Sequence, residues 1–104
     1  MSKSIERLVV ERAIKIVETQ WTQGQWGEDA QGFMVPWHSK KAVRFCAEGA
    51  VRRATREAVG SGSRRLATRI IGGMGEGNWC LLVINDRAGR RAVLRVMRQR
   101  LREL

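Results

Sequence analysis

Apolar residues return with a helical period along the first twenty positions. Ile5, Val9, Ala13, Ile16 and Val17 fall on one face and Val10 and Ile14 widen it, while Arg7, Glu11, Lys15 and Glu18 lie opposite at spacings that permit i,i+4 charge pairs. The pattern predicts an amphipathic helix over residues 4–18, with Ser4 as its N-cap and Glu6 favourable in the first turn. A second period runs over residues 39–59. There Val43, Ala47, Ala50, Val51, Ala54 and Ala58 share a face of mostly small residues, with Cys46 at its edge, suited to close helix packing. Lys41, Phe45, Arg52 and Arg56 take the opposite face, and Phe45 with Gly49 one turn later marks a place where another element, such as the preceding loop, lies against the helix. The GSGS run at residues 60–63 breaks the chain, and Ser63 is placed to cap a short third helix with Leu66, Ala67, Ile70 and Ile71 inward.

Residues 21–37, WTQGQWGEDAQGFMVPW, follow no period. They hold three glycines, the only proline and three of the four tryptophans, so an ordered loop is expected, with a short hairpin around Glu28 to Gly32. Three tryptophans in one loop could form a ligand cradle; the commoner role, and the one expected here, is to lid a small core. After the GGMGEG connection at residues 72–77, WCLLVI is a continuous apolar run and is read as a strand.

The final segment, NDRAGRRAVLRVMRQRLREL, separates by angle. At about 100° per residue, Leu94, Met97, Leu101 and Leu104 form one stripe with Val93 beside it. Arg91, Arg95, Arg98 and Arg102 form a second stripe, which Arg87 extends if the helix begins early. Asn85 or Asp86 is placed to cap this helix. The predicted fold is mainly α: a small single domain over residues 1–104, of three to four helices, with a Trp/Gly-rich ordered loop and one short strand or hairpin.

Composition sharpens the last point. The chain of 104 residues carries a net charge of +10. The charge is unevenly placed, with a balance of −1 up to Trp37 and +11 from His38 onward. Such an excess favours anionic partners. Guanidinium forks bind phosphate bidentately, and Arg91 to Arg102 span about 16 Å along a helix, enough to follow several phosphates. Arg52 and Arg56 extend that surface, and Phe45 in a basic field could stack on an unpaired base. Glu103 is the single acid near the end of the row, whereas a merely solvated face mixes signs.

Other chemistry is sparse. No apolar run reaches the roughly 18 residues that span a bilayer, and charges interrupt the N-terminus where a signal peptide needs an apolar stretch. A cytoplasmic protein is expected, with Cys46 and Cys80 as reduced thiols. Two cysteines and one histidine are too few for a structural zinc site. GMGEG lacks the strand-before, helix-after setting of a dinucleotide loop, so no cofactor and no metal are expected. An enzyme centred on Cys46, His38 or Asp86 would need these residues to meet in space, and nothing in their spacing requires it.

Trp21-x-x-Gly24, Asp29 and Gly32, AVRFCAEGAVRRA at residues 42–54, and Asn85-Asp86 ahead of a helix carrying Val96 come in an order that resembles a family of short bacterial and phage-associated proteins known only as a domain of unknown function. The aromatic-Cys-Ala-x-Gly-Ala run is its most specific piece. The chain departs from the family's pattern at Ile84, where tryptophan is usual, and in its basic charge. The resemblance implies a mainly helical fold and carries no activity. The expected function is therefore a non-catalytic binding protein whose arginine surface engages nucleic acid or a nucleoprotein complex. The alternative is a phage or mobile-element inhibitor docking on the acidic or nucleic-acid-binding surface of a host protein, in the manner of an anti-CRISPR inhibitor of a defence complex. The apolar stripe of the last helix is compatible with a homodimer.

Overall fold

The computed structural model describes residues 3–61 and 63–104. Four helices and one hairpin follow in the order α1 (Lys3–Gln20), α2 (Ala47–Val59), α3 (Arg64–Gly72), β1 (Gly75–Glu76), β2 (Trp79–Cys80) and α4 (Leu81–Glu103). The mainly helical fold and the Trp/Gly-rich loop agree with the sequence reading, and several boundaries and roles do not.

α1 buries Val9, Val10, Ala13, Ile14, Ile16 and Val17 against α2 and α4. Ile5, placed on that face by its spacing, is instead 37% exposed, and the neighbouring Glu6 is buried. The reason is a partner from the far end of the chain: Arg100 Nε donates to Glu6 Oε2 at 2.7 Å. This pairing also raises the Arg100 guanidinium pKa above its ordinary value. Ser4 lies inside α1, and the position ahead of Lys3 falls outside the described residues.

The second helix is shorter than its pattern. Residues 39–46 are irregular, and α2 begins at Ala47 with Cys46 as N-cap, its Sγ accepting from Gly49 N at 3.5 Å. The apolar spacing of Val43 with Ala47 mimics a helix, but the backbone there is occupied otherwise. Phe45 N donates to Gln20 O, Thr22 N to Phe45 O, and Val43 N and Arg44 N to Glu28 O. The 39–46 segment is thus stitched to the tryptophan loop by isolated bridges, Trp21 with Phe45 and Glu28 with Arg44.

Gly49 explains how closely the loop approaches α2. A Cβ on this residue would stand 1.9 Å from the backbone oxygen of Trp26, a separation no side chain tolerates. The expected hairpin is present: Asp29 N donates to Phe33 O, Val35 N to Gly27 O, and Asp29 Oδ1 accepts from the backbone of Gln31 and Phe33. Trp21 and Trp37 pack against the core as lids, whereas Trp26 remains 46% exposed.

α3 buries Ala67 and Ile70 as its spacing predicts. Within the connection ahead of it, Gly62 lies outside the described residues. The WCLLVI run divides: Trp79–Cys80 pairs antiparallel with Gly75–Glu76, and Leu81 already starts α4. Leu81 and Ile84 are fully or nearly fully buried, as one face of a helix, so the strand reading fails beyond Cys80.

Asn85 and Asp86 consequently sit inside α4 rather than at its cap. Asn85 is fully buried. Its Oδ1 accepts from Trp21 Nε1 and from Ala47 N, both at 2.8 Å, and its Nδ2 donates to Gln23 O at 2.7 Å and Asp86 Oδ1 at 3.1 Å. Asn85 therefore supplies a cap to α2, the helix it was not expected to serve, while holding the start of the loop at Trp21 and Gln23. Four residues later Gly89 (φ 83°, ψ −172°) breaks the helical path of α4, in a backbone region natural to glycine.

Replacing Asn85 by Ala strands the indole N–H of Trp21, the first N–H of α2 and the carbonyl of Gln23. At ~1–3 kcal/mol per buried unsatisfied group, water reaching the loop-side partners, a total loss of ~2–4 kcal/mol is expected in urea unfolding. Gly49→Ala is expected to destabilise comparably, with the loss appearing first as increased amide exchange across the tryptophan loop, whereas Gly24→Ala, with open space around its Cβ, is expected to leave that exchange unchanged.

Candidate anion-binding surfaces

α4 beyond Gly89 presents the arginine row. Leu94 and Met97 of the adjacent stripe are buried, and Leu101 and Leu104 pack half-buried against the core, so the apolar stripe is consumed within the chain. Arg91, Arg95, Arg98 and Arg102 are all exposed and, with Leu94, line a groove of about 420 Å³. No acidic side chain lines it. Arg87 is exposed too, but it precedes the break at Gly89, so the helical phase that would align it with Arg91 is interrupted and it does not line the groove.

Acids do reach the row from elsewhere in the chain. Glu76 of β1 takes both Nε and Nη2 of Arg95, at 2.9 and 2.7 Å. Glu18 of α1 accepts from Arg98 Nη2 at 2.7 Å. The Arg95 hydrogen bonds hold the Glu76 carboxyl below its ordinary pKa. Arg102 Nη2 donates to the neutral Gln99 amide. Arg91 has no side-chain partner among the described residues. These ion pairs are open to solvent, with every partner about 40% exposed or more. Exposed pairs of this kind are individually weak, screened by solvent and open to exchange.

The remaining candidates divide. Phe45 is only 2% exposed, and its ring lies beneath the Arg53 guanidinium at 5.5 Å. It packs in the core, and its face is not open to a base. Arg52 and Arg56, on α2, meet the tryptophan loop instead of the α4 row. Together with Trp26, Trp37, His38, Ser63 and Arg64 they line a cavity of about 290 Å³. Arg52 stacks over Trp26 at 5.0 Å and reaches Glu48 only at 3.5 Å. Its Nε is buried without a hydrogen-bond partner. Trp26 and Trp37 are expected from the sequence as lids, with a ligand cradle as the alternative, and Arg64 is expected in no site. The one available signal was the clustering of tryptophans in a single loop.

Two residues to which the sequence pattern assigns no binding role fix the walls. Glu28 gathers Arg44 Nε, Thr22 Oγ1 and Gln25 Nε2, while Arg44 Nη2 also donates to Asp29 O. Arg53 Nη1 donates to the carbonyls of Trp37 and Ser39. The loop is thereby tied at its middle and at its C-terminal end.

Cys46 is buried, and that burial pushes its thiol pKa up, so it stays protonated at neutral pH and is a poor nucleophile. His38 packs edge-on to Trp37 at 5.1 Å. Among the described residues no helix is long and apolar enough to cross a membrane.

The geometry now has a family to stand in. The chain belongs to the Family of unknown function (DUF6197), whose model matches residues 6–102. The match takes in all the loop, groove and cavity residues above. No curated protein and no solved structure matches the chain.

The Arg44 hydrogen bond is the largest cause holding the Glu28 carboxyl below its ordinary pKa. A lowered folded-state value means the stabilisation is fully present above the unfolded pKa of about 4.3 and is lost as pH falls through the folded value. The stability difference between wild type and Glu28→Gln is therefore expected to be largest near neutral pH and to shrink below about pH 4, followed by thermal unfolding at each pH.

Proposed function

We propose that this DUF6197 protein is a non-catalytic binding protein of the cytoplasm that engages nucleic acid, free or within a nucleoprotein complex, through the arginine face of α4. One observation carries the reading: a groove lined by Arg91, Arg95, Arg98, Arg102 and a single leucine, with no acid among its walls. Phosphate is the anion such a groove suits best. It accepts bidentate guanidinium bonds, and along a strand it repeats on a scale that an arginine row of about 16 Å can follow.

Glu18 and Glu76 set the threshold for binding. Each must yield its arginine to a phosphate, and the weakness of exposed pairs makes the exchange favourable when several contacts form together. The groove reads backbone charge and carries no base-reading signature, so affinity should depend strongly on salt and weakly on sequence.

A second reading, a phage-associated protein docking on a host protein, draws on Phe33 and Met34, which stand 70% and 73% exposed at the loop hairpin. An exposed apolar tip suits a protein partner better than a duplex.

Fluorescence anisotropy with labelled single- and double-stranded DNA is expected to give micromolar or tighter binding at about 50 mM salt, with a log–log salt slope of several units. Arg91→Glu, Arg95→Glu, Arg98→Glu and Arg102→Glu combined are expected to abolish it while leaving the helical circular dichroism intact. Binding that survives the fourfold change sinks the reading. Glu76→Gln, which releases Arg95, is expected to tighten binding about two- to fivefold, within the range of one exposed pair. Absence of binding at the lowest salt, with capture of one stoichiometric protein partner lost on Phe33→Ser, would favour the docking reading.

A further inference from the structure

The cavity between the tryptophan loop, α2 and the start of α3 is separate from the α4 groove and shares no lining residue with it. We propose that it is a binding site for a nucleoside phosphate, with the base held against the tryptophans and the phosphate held at the N-terminus of α3 by Arg56 and Arg64.

Its walls are of two kinds. Trp26 and Trp37 supply aromatic surface, and the Arg52 guanidinium stacks on the Trp26 ring at 5.0 Å from its centroid. Such a platform accepts any base, because every base has a π-face to stack. Arg52, Arg56 and Arg64 line it with three guanidinium groups, of which Arg52 is paired with Glu48 at 3.5 Å while no acid lines the cavity among the described residues. Arg56 and Arg64 are exposed and have no side-chain partner among the described residues. Arg52 keeps hydrogen-bonding capacity unused, its Nε being buried and unpartnered.

α3 adds a third feature. Ser63 at its N-cap makes no side-chain cap hydrogen bond, and no acid occupies its first turn, so the positive end of this helix is left without an anion of its own. Ser63 and Arg64 both line the cavity. An anion there would complete the cap and neutralise part of the arginine charge together.

Size sets the class. A cavity of about 290 Å³ lies at the lower bound of small-molecule sites, about 300 Å³. That suits one nucleotide and excludes a duplex. Trp26 and Trp37 also border a second trough, which Met34, Val35 and Pro36 line with apolar surface. The same chemistry, base plus phosphate, is presented by a free nucleotide and by the 5′ end of a strand.

Tryptophan fluorescence and calorimetry on the full chain, with 5′-AMP, adenosine and inorganic phosphate as probes, test the site. The expected result is saturable 5′-AMP binding at least tenfold tighter than adenosine or phosphate alone, with quenching of the Trp26 signal. Arg56→Gln with Arg64→Gln, both at exposed positions, is expected to weaken 5′-AMP at least tenfold. The fourfold α4 variant is expected to leave it unchanged, which separates this site from the groove. A 5′-phosphorylated tetranucleotide binding tenfold tighter than 5′-AMP in the fourfold α4 variant would assign the cavity to strand ends, and equal affinity would assign it to free nucleotides. The proposal is overturned if 5′-AMP binds no better than phosphate, or if binding is indifferent to Arg56 and Arg64.

Discussion

The buried amide of Asn85 is the point on which the other parts of the molecule depend. Its oxygen serves two donors, the indole of Trp21 and the first amide of α2, and its nitrogen serves the Gln23 carbonyl. Three segments far apart in sequence, the loop, α2 and α4, are thereby fixed in one register. A buried amide of this kind is costly unless every bond is made, so the three segments settle together or not at all. The break at Gly89 then releases the rest of α4 to lay its leucine stripe along α1.

Both candidate anion-binding surfaces follow from that arrangement. Locking the loop on α2 brings Trp26 and Trp37 over Arg52 and Arg56, while α3 sets its uncapped start towards them. Seating α4 on α1 turns its arginine face outward, with Glu18 near Arg98 and Glu76 near Arg95. The basic charge is thus divided between two surfaces of different character, an open groove suited to a strand and a more enclosed aromatic cavity suited to one nucleotide. Membership of DUF6197 covers both.

The contrast between the arginines is one of environment. Arg53 and Arg100 are turned inward, tying the loop carbonyls and neutralising the buried Glu6. Arg95 and Arg98 hold solvent-exposed acids in pairs open to exchange. Among the described residues, Arg56, Arg64 and Arg91 stand free. One residue type serves as strut, as exchangeable pair and as open donor, according to what the fold sets beside it.

The amino-acid sequence by itself determined the helices whose faces are regular: the apolar side of α1, the inward residues of α3, and the two stripes of α4. A period of 3.6 residues is a local property and needs no partner to be read. The Glu28 to Gly32 hairpin was legible from another local signal, the glycines and the proline of its loop. Tertiary structure alone decided the rest. Phe45 and Val43 keep helical spacing yet lie in a bridged segment, because backbone bonds to Gln20 and Glu28 outweigh local propensity. Asn85 looks like a cap for its own helix and caps another. Whether an arginine is free, paired or buried depends on acids such as Glu6, Glu18 and Glu76, which lie between nineteen and ninety-four positions away along the chain, and only the folded chain brings them together.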